Sequence, residues 1–217
     1  MMSPPVKRIV LHGQAPGAPS RDAVFTSAAP RVYLLSPAHA GGKRATTLFR
    51  SGASFDLARR LRTTGIELGE AFSFMSPLYF RGKLLYASTF AKAPEGVPSA
   101  LVITPSRGLL IPKTMVRLEE LAEICDEQVD VQNPKYRDPL ERDLGLLSES
   151  IGTQVRVVLL GSIATRKYIP VLGEMLGERL VVPREFVGLG NMSRGTLLLR
   201  CSREGCELDY ISATQTI

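Results

Sequence analysis

The sequence predicts an α/β fold of three layers, in which a four-stranded, mostly parallel sheet lies between helices. Four short apolar runs of strand length alternate with amphipathic stretches of helical length. Each run also ends in a loop that combines Gly, Ser or Thr with a basic residue. We assign residues 31–217 to one domain of this kind. Residues 1–30 are rich in Pro, Ala, Gly and Ser and are predicted to form a flexible N-terminal arm.

The predicted strands are continuous apolar runs rather than alternating ones, which is typical of strands buried on both faces. They are VYLL at 32–35, ALVIT at 100–104, VRVVLL at 155–160 and RLVV at 179–182. Helices are predicted at 45–62, with a break at Ser51-Gly52, and then at 78–91, 118–125, 136–150 and 168–176. A final hairpin is predicted from 196–200 and 207–211, with its turn at 203–205.

Parallel strands bring their carboxyl ends to one edge of a sheet, so the four polar loops should gather there and line an anion-binding cleft. The first loop is SPAHAGGKR, the second and third are PSRGLLIPKT and GSIATRKY, and the fourth is PREFVGLGNMSRG. The candidate ligand-binding residues in these loops are Ser36, His39, Lys43, Arg44, Arg107, Ser162, Arg166, Lys167, Asn191, Ser193 and Arg194.

The stretch 69–87, GEAFSFMSPLYFRGKLLYA, concentrates aromatic, hydroxyl and charged side chains. Phe72, Phe74 and Tyr79 could stack on a base, while Arg81 and Lys83 could hold phosphates. The alternative is an amphipathic helix that docks on the sheet and buries at least two of the aromatics in the core. The sequence leaves both interpretations open.

Composition narrows the classes of protein. The net charge of +6 and pI of about 9.4 favour nucleic acid only weakly. Three cysteines without C-x-x-C spacing and two histidines predict neither a disulfide framework nor a metal site, and we expect no cofactor. No apolar run is long enough for a membrane span or a signal-peptide core, so we expect a cytoplasmic protein without a membrane partner or an obligate protein partner.

Three segments resemble a group of small bacterial α/β proteins. They are SPLYFRGKLLYA at 76–87, LVITPSRGLLIPKT at 101–114 and VVLLGSIATRKYIPVL at 157–172. That group is related to the YaaA-like stress proteins and to a domain of archaeosine synthase, which are similar to the uracil-DNA glycosylase superfamily. LLGSIA at 159–164 resembles one superfamily motif. EFVGLGNMSRG at 185–195 keeps only the Ser-Arg-Gly of the last motif and lacks its histidine.

The resemblance implies a DNA glycosylase that hydrolyses the N-glycosidic bond of a base. The departures from the motifs favour a modified base over uracil, and defence against phage with modified DNA is one concrete form of this activity. On this hypothesis His39 or Glu70 orients water or offsets the sugar cation, and Asn191 reads a base edge. Phe72, Phe74, Tyr79 and Ser36 hold the base. The phosphate- and DNA-binding residues are Lys43, Arg44, Arg81, Lys83, Arg107, Ser162, Arg166, Lys167, Ser193 and Arg194.

Two other classes of protein fit the same residues. One is a non-catalytic stress protein that binds nucleic acid or nucleotides, and the other is a nucleoside base-exchange enzyme. Glu70 has a structural alternative as a carboxylate at a helix N-terminus, where the helix dipole favours negative charge.

Overall fold

The computed structural model describes residues 29–163 and 165–213, so most of the predicted N-terminal arm lies outside the described residues. The strands are β1 Arg31–Leu35, β2 Ile66–Glu67, β3 Ala100–Ile103, β4 Leu109–Leu110, β5 Met115–Val116, β6 Arg156–Leu160, β7 Leu180–Pro183 and β8 Tyr210–Ser212. The helices are α1 Lys43–Phe49, α2 Asp56–Thr63, α3 Leu68–Met75, α4 Tyr79–Phe90, α5 Leu118–Asp126, α6 Pro134–Ile151, α7 Ile169–Leu176 and α8 Asn191–Glu204. The chain is therefore α/β, as predicted.

The main sheet has six strands in the order β4-β3-β1-β6-β7-β8 and is mixed, which corrects the prediction of four. The four predicted strands form its centre, and β3, β1, β6 and β7 run parallel to one another. Short antiparallel strands close both edges, β4 against β3 and β8 against β7. A separate pair, β2 and β5, lies outside this sheet. Register is continuous along β1, where Arg31 to Leu35 face Arg156 to Leu160.

The predicted C-terminal hairpin is wrong, because residues 191–204 form helix α8. Its buried residues Arg194, Leu198 and Cys201 recur at helical spacing, so one face of the segment packs inward. The short Leu197–Leu199 run carries no periodicity by itself, which is why it also fits a strand. Only β8 of that hairpin forms, and it pairs with β7.

Helices α4 and α8 pack closely, and two glycines permit the approach. A Cβ at Gly195 would lie 2.9 Å from the backbone carbon of Leu78, and a Cβ at Gly82 would lie 3.0 Å from the carbonyl oxygen of Gly195. Side chains larger than hydrogen at these positions would force the helices apart. This close packing holds the face of α4 that carries Lys83 and Tyr86 against β1, and both side chains are buried.

Within the described ranges no helix has the length and apolar character that a membrane crossing requires. The predicted break between the first two helices is present, because α1 ends at Phe49 and α2 begins at Asp56. The stretch 69–75, which we expected to lead into a helix, is itself helical as α3.

Candidate functional site

A cavity of about 1170 Å³ opens at the carboxyl end of the parallel strands. The loops that follow β1 and β6 both line it, through Ser36 and Ser162. The chain leaves β1 toward β3 on one side, whereas β6 and β7 lie on the other, so the sheet changes direction beside β1. Open α/β sheets bind ligands at such a switch point because the diverging loops leave a crevice there. The cavity is large enough for a nucleotide-sized ligand.

Five segments of chain form the cavity walls. They are the loop Ser36–Gly41, the α3–α4 junction from Phe72 to Tyr79, the segment Cys125–Val131 at the end of α5 and beyond it, the turn Thr165–Tyr168 and the start of α8 at Asn191 and Met192. Pro105 and Ser162 complete the lining. A hydrogen bond of 3.0 Å from the Tyr136 hydroxyl of α6 to the Lys167 carbonyl holds the turn Thr165–Tyr168 in place. The cavity therefore joins parts of the chain that lie far apart in sequence.

Eight of the predicted site residues line this cavity. They are Ser36, His39, Phe72, Tyr79, Ser162, Arg166, Lys167 and Asn191. His39, Arg166, Lys167 and Asn191 are exposed, whereas Ser36 and the two aromatics are buried. Phe72 also packs edge-on against Phe80, with 5.2 Å between ring centroids, so it serves the core and the cavity wall together.

Glu70 lies outside the cavity lining and forms an ion pair with Arg60 of α2. A second contact of 3.1 Å joins Glu70 Oε2 to Arg60 Nη1. Phe74 is likewise absent from the lining and stacks on Phe55, with 5.3 Å between centroids, while Arg44 lies 5.5 Å from its ring. These residues link α1, α2 and α3 on one side of the sheet rather than facing the cavity.

The remaining predicted phosphate contacts divide by exposure. Lys43, Arg44, Arg81 and Ser193 are exposed to solvent and lie outside the lining. Arg107 forms ion pairs with Glu123 at 2.6 Å and Glu120 at 3.8 Å. Carboxylates therefore already neutralise part of its charge.

Lys83 and Arg194 are buried, with exposed fractions of 1% and 4%. Lys83 Nζ donates to the Ser36 carbonyl and lies 2.8 Å from Ser36 Oγ. Arg194 donates to the carbonyls of Phe186, at 2.7 Å, and Gly161, at 3.3 Å. Within residues 29–163 and 165–213 no carboxylate forms an ion pair with either side chain. Neither side chain is among the residues that line the cavity.

Two tyrosines of the cavity lining lie close to this site, Tyr79 beside Lys83 and Tyr168 beside Tyr79 and Ser36. The Tyr79 ring covers Lys83, with Nζ 4.5 Å from its centroid, and its hydroxyl is buried without a hydrogen-bond partner of ordinary geometry among the described residues. Burial raises the pKa of Tyr79, and the nearby charge of Arg194 partly opposes that rise. Burial also raises the pKa of Tyr168, where contact with Ser36 acts in the opposite direction. Both phenols are therefore protonated donors at neutral pH.

Sequence reasoning missed the acidic wall of the cavity. Asp126, Glu127 and Asp130 all line it, where α5 ends and the connection to α6 begins. Glu127 pairs with Lys135 at 2.5 Å, and this contact lowers the pKa of its carboxyl group. Asp126 and Asp130 are exposed. The local density of acids was the available signal, but nothing in the sequence placed it in the same cavity as His39.

A metal centre has no support in the part of the chain that the structure describes, where no three His, Cys, Asp or Glu side chains come together as ligands. The three cysteines are free. Burial raises the pKa of Cys125 to about 12, so this thiol at the cavity edge is protonated at neutral pH.

Comparisons with protein-family models, curated proteins and solved structures find no match to this chain. The resemblance to the uracil-DNA glycosylase superfamily accordingly stays a prediction, and function must be argued from the cavity.

Proposed function

We propose that the protein is a DNA glycosylase that hydrolyses the N-glycosidic bond of a base, with a modified base as the preferred substrate. One observation carries the proposal: a nucleotide-sized cavity at the switch point is lined by His39, Asn191 and the acidic segment 125–131. These are the group types that such a hydrolysis needs, because a carboxylate can offset the sugar cation and a polar donor can assist the leaving base.

The acidic wall supplies the carboxylate in place of Glu70. Asp126 and Asp130 line the cavity, whereas Glu70 is engaged by Arg60 outside the lining. In the proposed reaction Asp126 or Asp130 orients the attacking water and stabilises positive charge on the sugar. His39 protonates the departing base, and Asn191 contacts a base edge through its amide.

Cations at the cavity and beside it suit the DNA backbone. Arg166 and Lys167 are exposed at the cavity wall, and Lys43 and Arg44 are exposed at the start of α1, directly after the loop that carries His39. Exposed Arg and Lys side chains contact phosphates without sequence preference. Phe72, Tyr79 and Tyr168 then offer aromatic edges to a base that has left the stack.

The test is release of free bases from oligonucleotides that contain uracil, hypoxanthine, 8-oxoguanine or 5-hydroxymethylcytosine, in single and double strands. Mass spectrometry detects the base, and alkaline strand scission detects the abasic site. We expect Asp126→Asn or Asp130→Asn, and His39→Ala, to slow release by roughly 10²-fold or more. Glu70→Gln is the matched control and should retain full activity.

The alternatives appear as distinct outcomes. Retarded DNA without release of any base would overturn glycosylase activity and identify a binding protein. Turnover of free nucleosides with exchange of the base, in the absence of DNA cleavage, would overturn it in favour of a base-exchange enzyme.

A further inference from the structure

Ser36 is the first residue after β1 and is held on both sides. Its amide donates to the Leu160 carbonyl at 3.1 Å, and its own carbonyl accepts from Lys83. The neighbouring Gly161 leaves room for the side chain, since a Cβ there would lie 3.2 Å from Ser36 Cβ. Ser36 lines the cavity although only 5% of it is exposed. The hydroxyl is thus fixed in position at the cavity floor.

Lys83 reaches this hydroxyl from behind. Its Nζ lies 2.8 Å from Ser36 Oγ, and the rings of Tyr79 and Phe80 cover it at 4.5 and 5.0 Å. The charged and titratable groups around this site are Tyr79 of α4 itself, Tyr168 of the turn before α7 and Arg194 of α8. None of these groups is an anion at neutral pH that could stabilise a protonated amine.

Among residues 29–163 and 165–213, no carboxylate forms an ion pair with this buried amine, which lies beside a hydroxyl. Burial holds the pKa of Lys83 well below its usual range, which favours the neutral amine. Lys83 Nζ donates hydrogen bonds to the Ser36 carbonyl and to Ser36 Oγ. When the amine is neutral, the bond to the carbonyl can stay while the lone pair of Nζ accepts from Ser36 Oγ–H across the same 2.8 Å. That is the arrangement in which a lysine activates a serine.

We propose that Ser36 and Lys83 form a nucleophile–base dyad that hydrolyses carboxylic esters with an apolar acyl group. The inference stands on the 2.8 Å contact at the cavity floor and does not depend on base excision. The apolar walls beside Ser36 set the acyl class, because Met75, Pro77, Leu78 and Val129 line the same cavity.

The reaction balances with these groups and water alone. Ser36 Oγ–H gives its proton to Lys83 Nζ while Oγ bonds to the acyl carbon and the carbonyl electron pair moves to oxygen. The tetrahedral oxygen returns its pair, the C–O bond to the alcohol breaks, and Lys83 protonates the leaving alcohol. Water then attacks the acyl-serine, Lys83 accepts its proton, and the acid leaves with Ser36 Oγ reprotonated. The Tyr79 hydroxyl, which lies near Arg194 without a hydrogen bond of ordinary geometry to any described residue, and the Tyr168 hydroxyl supply donors for the transient oxyanion.

The first test is covalent labelling of the full chain with a biotinylated fluorophosphonate, followed by peptide mapping. We expect label on Ser36 alone and none in Ser36→Ala. Hydrolysis of p-nitrophenyl butyrate should fall by roughly 10²-fold or more in Ser36→Ala and in Lys83→Met. Lys83→Arg should not restore activity, because a guanidinium is not a base at these pH values. The matched controls are the exposed Ser88→Ala and Lys113→Met, which should react as the parent does.

The pH profile separates catalysis from a structural role. The kcat/KM for the ester should rise through one ionisation whose midpoint lies below the usual lysine range, and this limb should disappear in Lys83→Met. Ser36→Cys provides a second route that does not require Lys83 to be removed. With Lys83 as a base, the thiol introduced by this substitution should react with iodoacetamide faster than the exposed Cys206 does. Label at another residue, unlabelled parent protein, or Ser36→Ala that keeps ester hydrolysis would each overturn the proposal.

Discussion

Strand β1 carries a buried polar cluster at each end, and the two clusters balance charge differently. The amino-end cluster consists of Arg31, Tyr33, Tyr86, Glu207 and Tyr210. Arg31 pairs with Glu207 at 2.6 Å, and Glu207 also accepts from the hydroxyls of Tyr33 at 3.2 Å and Tyr210 at 2.8 Å. Tyr86 and Tyr33 both contact the Tyr210 hydroxyl, at 2.9 and 2.8 Å. In this cluster a buried cation has its carboxylate.

The carboxyl-end cluster consists of Ser36, Tyr79, Lys83, Tyr168 and Arg194. Its buried basic side chains, Lys83 and Arg194, contact carbonyls and rings, and the Tyr79 hydroxyl has no hydrogen bond of ordinary geometry to a described residue. Helix α4 contributes to both clusters, since Lys83 and Tyr86 lie one turn apart on the same buried face. A fully paired network gives stability, whereas unpaired groups cost stability and persist where they face a ligand. We therefore expect the amino-end cluster to contribute mainly to stability and the carboxyl-end cluster to carry the proposed reaction.

The largest expected effect is at the amino-end cluster. Glu207→Gln keeps the shape of the side chain but removes the charge that compensates Arg31, and its amide nitrogen cannot accept a hydrogen bond. Removing one partner of a buried ion pair costs about 3–5 kcal/mol, and we expect a loss of that size in the free energy of unfolding by urea denaturation. Asp209→Asn removes the same charge from an exposed position two residues away and should change stability little. Equal losses in the two variants would show that the pairing of Glu207 with Arg31 does not specifically stabilise the fold.

Below about pH 9.5 the carboxyl-end cluster should make stability depend on pH through Lys83, whereas the raised pKa values of the amino-end tyrosines matter only above about pH 10. Because burial lowers the pKa of Lys83 in the folded state, the unfolded chain binds more protons between that value and about 10.4. Stability therefore rises with pH across this window, by up to about 1.4 kcal/mol per pH unit for one proton. Lys83→Met should abolish this rise, so the variant gains most over the parent at low pH.

Urea midpoints of the parent and Lys83→Met, measured from about pH 6 to about pH 9.5, check this sign. The upper limit matters because burial raises the pKa of Tyr33, Tyr86 and Tyr210, which makes the folded state lose stability above the usual tyrosine pKa of about 10. Lys113→Met is the control for loss of an exposed lysine. Parallel curves for the parent and Lys83→Met would show that the amine is charged in both the folded and the unfolded state. That result would contradict the role of Lys83 as a base.

Sequence alone predicted the parallel centre of the sheet, because β1, β3, β6 and β7 are continuous apolar runs that leave few other interpretations. It missed β4, which is two residues long and too short to show a period, and it paired the segment that overlaps β8 with residues 196–200 instead of with β7. Ser36, His39, Ser162 and Asn191, which come from three of the predicted polar loops, line one cavity.

The chemistry within that cavity depends on packing that no local pattern reports. Lys83 looks like an exposed lysine in the sequence, because charged side chains are rarely buried, yet the glycine contact between α4 and α8 encloses it. The acidic segment after α5 reaches the cavity only through the tertiary fold. Glu70 shows the reverse case, because it resembles a site residue in the sequence but has a structural role in the fold. A carboxylate among aromatics suggests a site, yet Glu70 pairs with Arg60, ten residues earlier on another helix.

The smallest expected effect is at the exposed Arg60–Glu70 pair, which serves as a reference for the two buried clusters. About 41% of each side chain in the Arg60–Glu70 pair is exposed, so water and salt screen the interaction. Arg60 also contacts Asp56 at 2.8 Å, which leaves its guanidinium a second carboxylate when Glu70 is replaced. Glu70→Gln should therefore leave the urea midpoint within experimental error at moderate salt, and it should leave base release and ester hydrolysis unchanged. A loss of base release in a fully folded Glu70→Gln variant would instead show that Glu70 reaches the substrate, and it would move the reactive carboxylate from the acidic wall to α3.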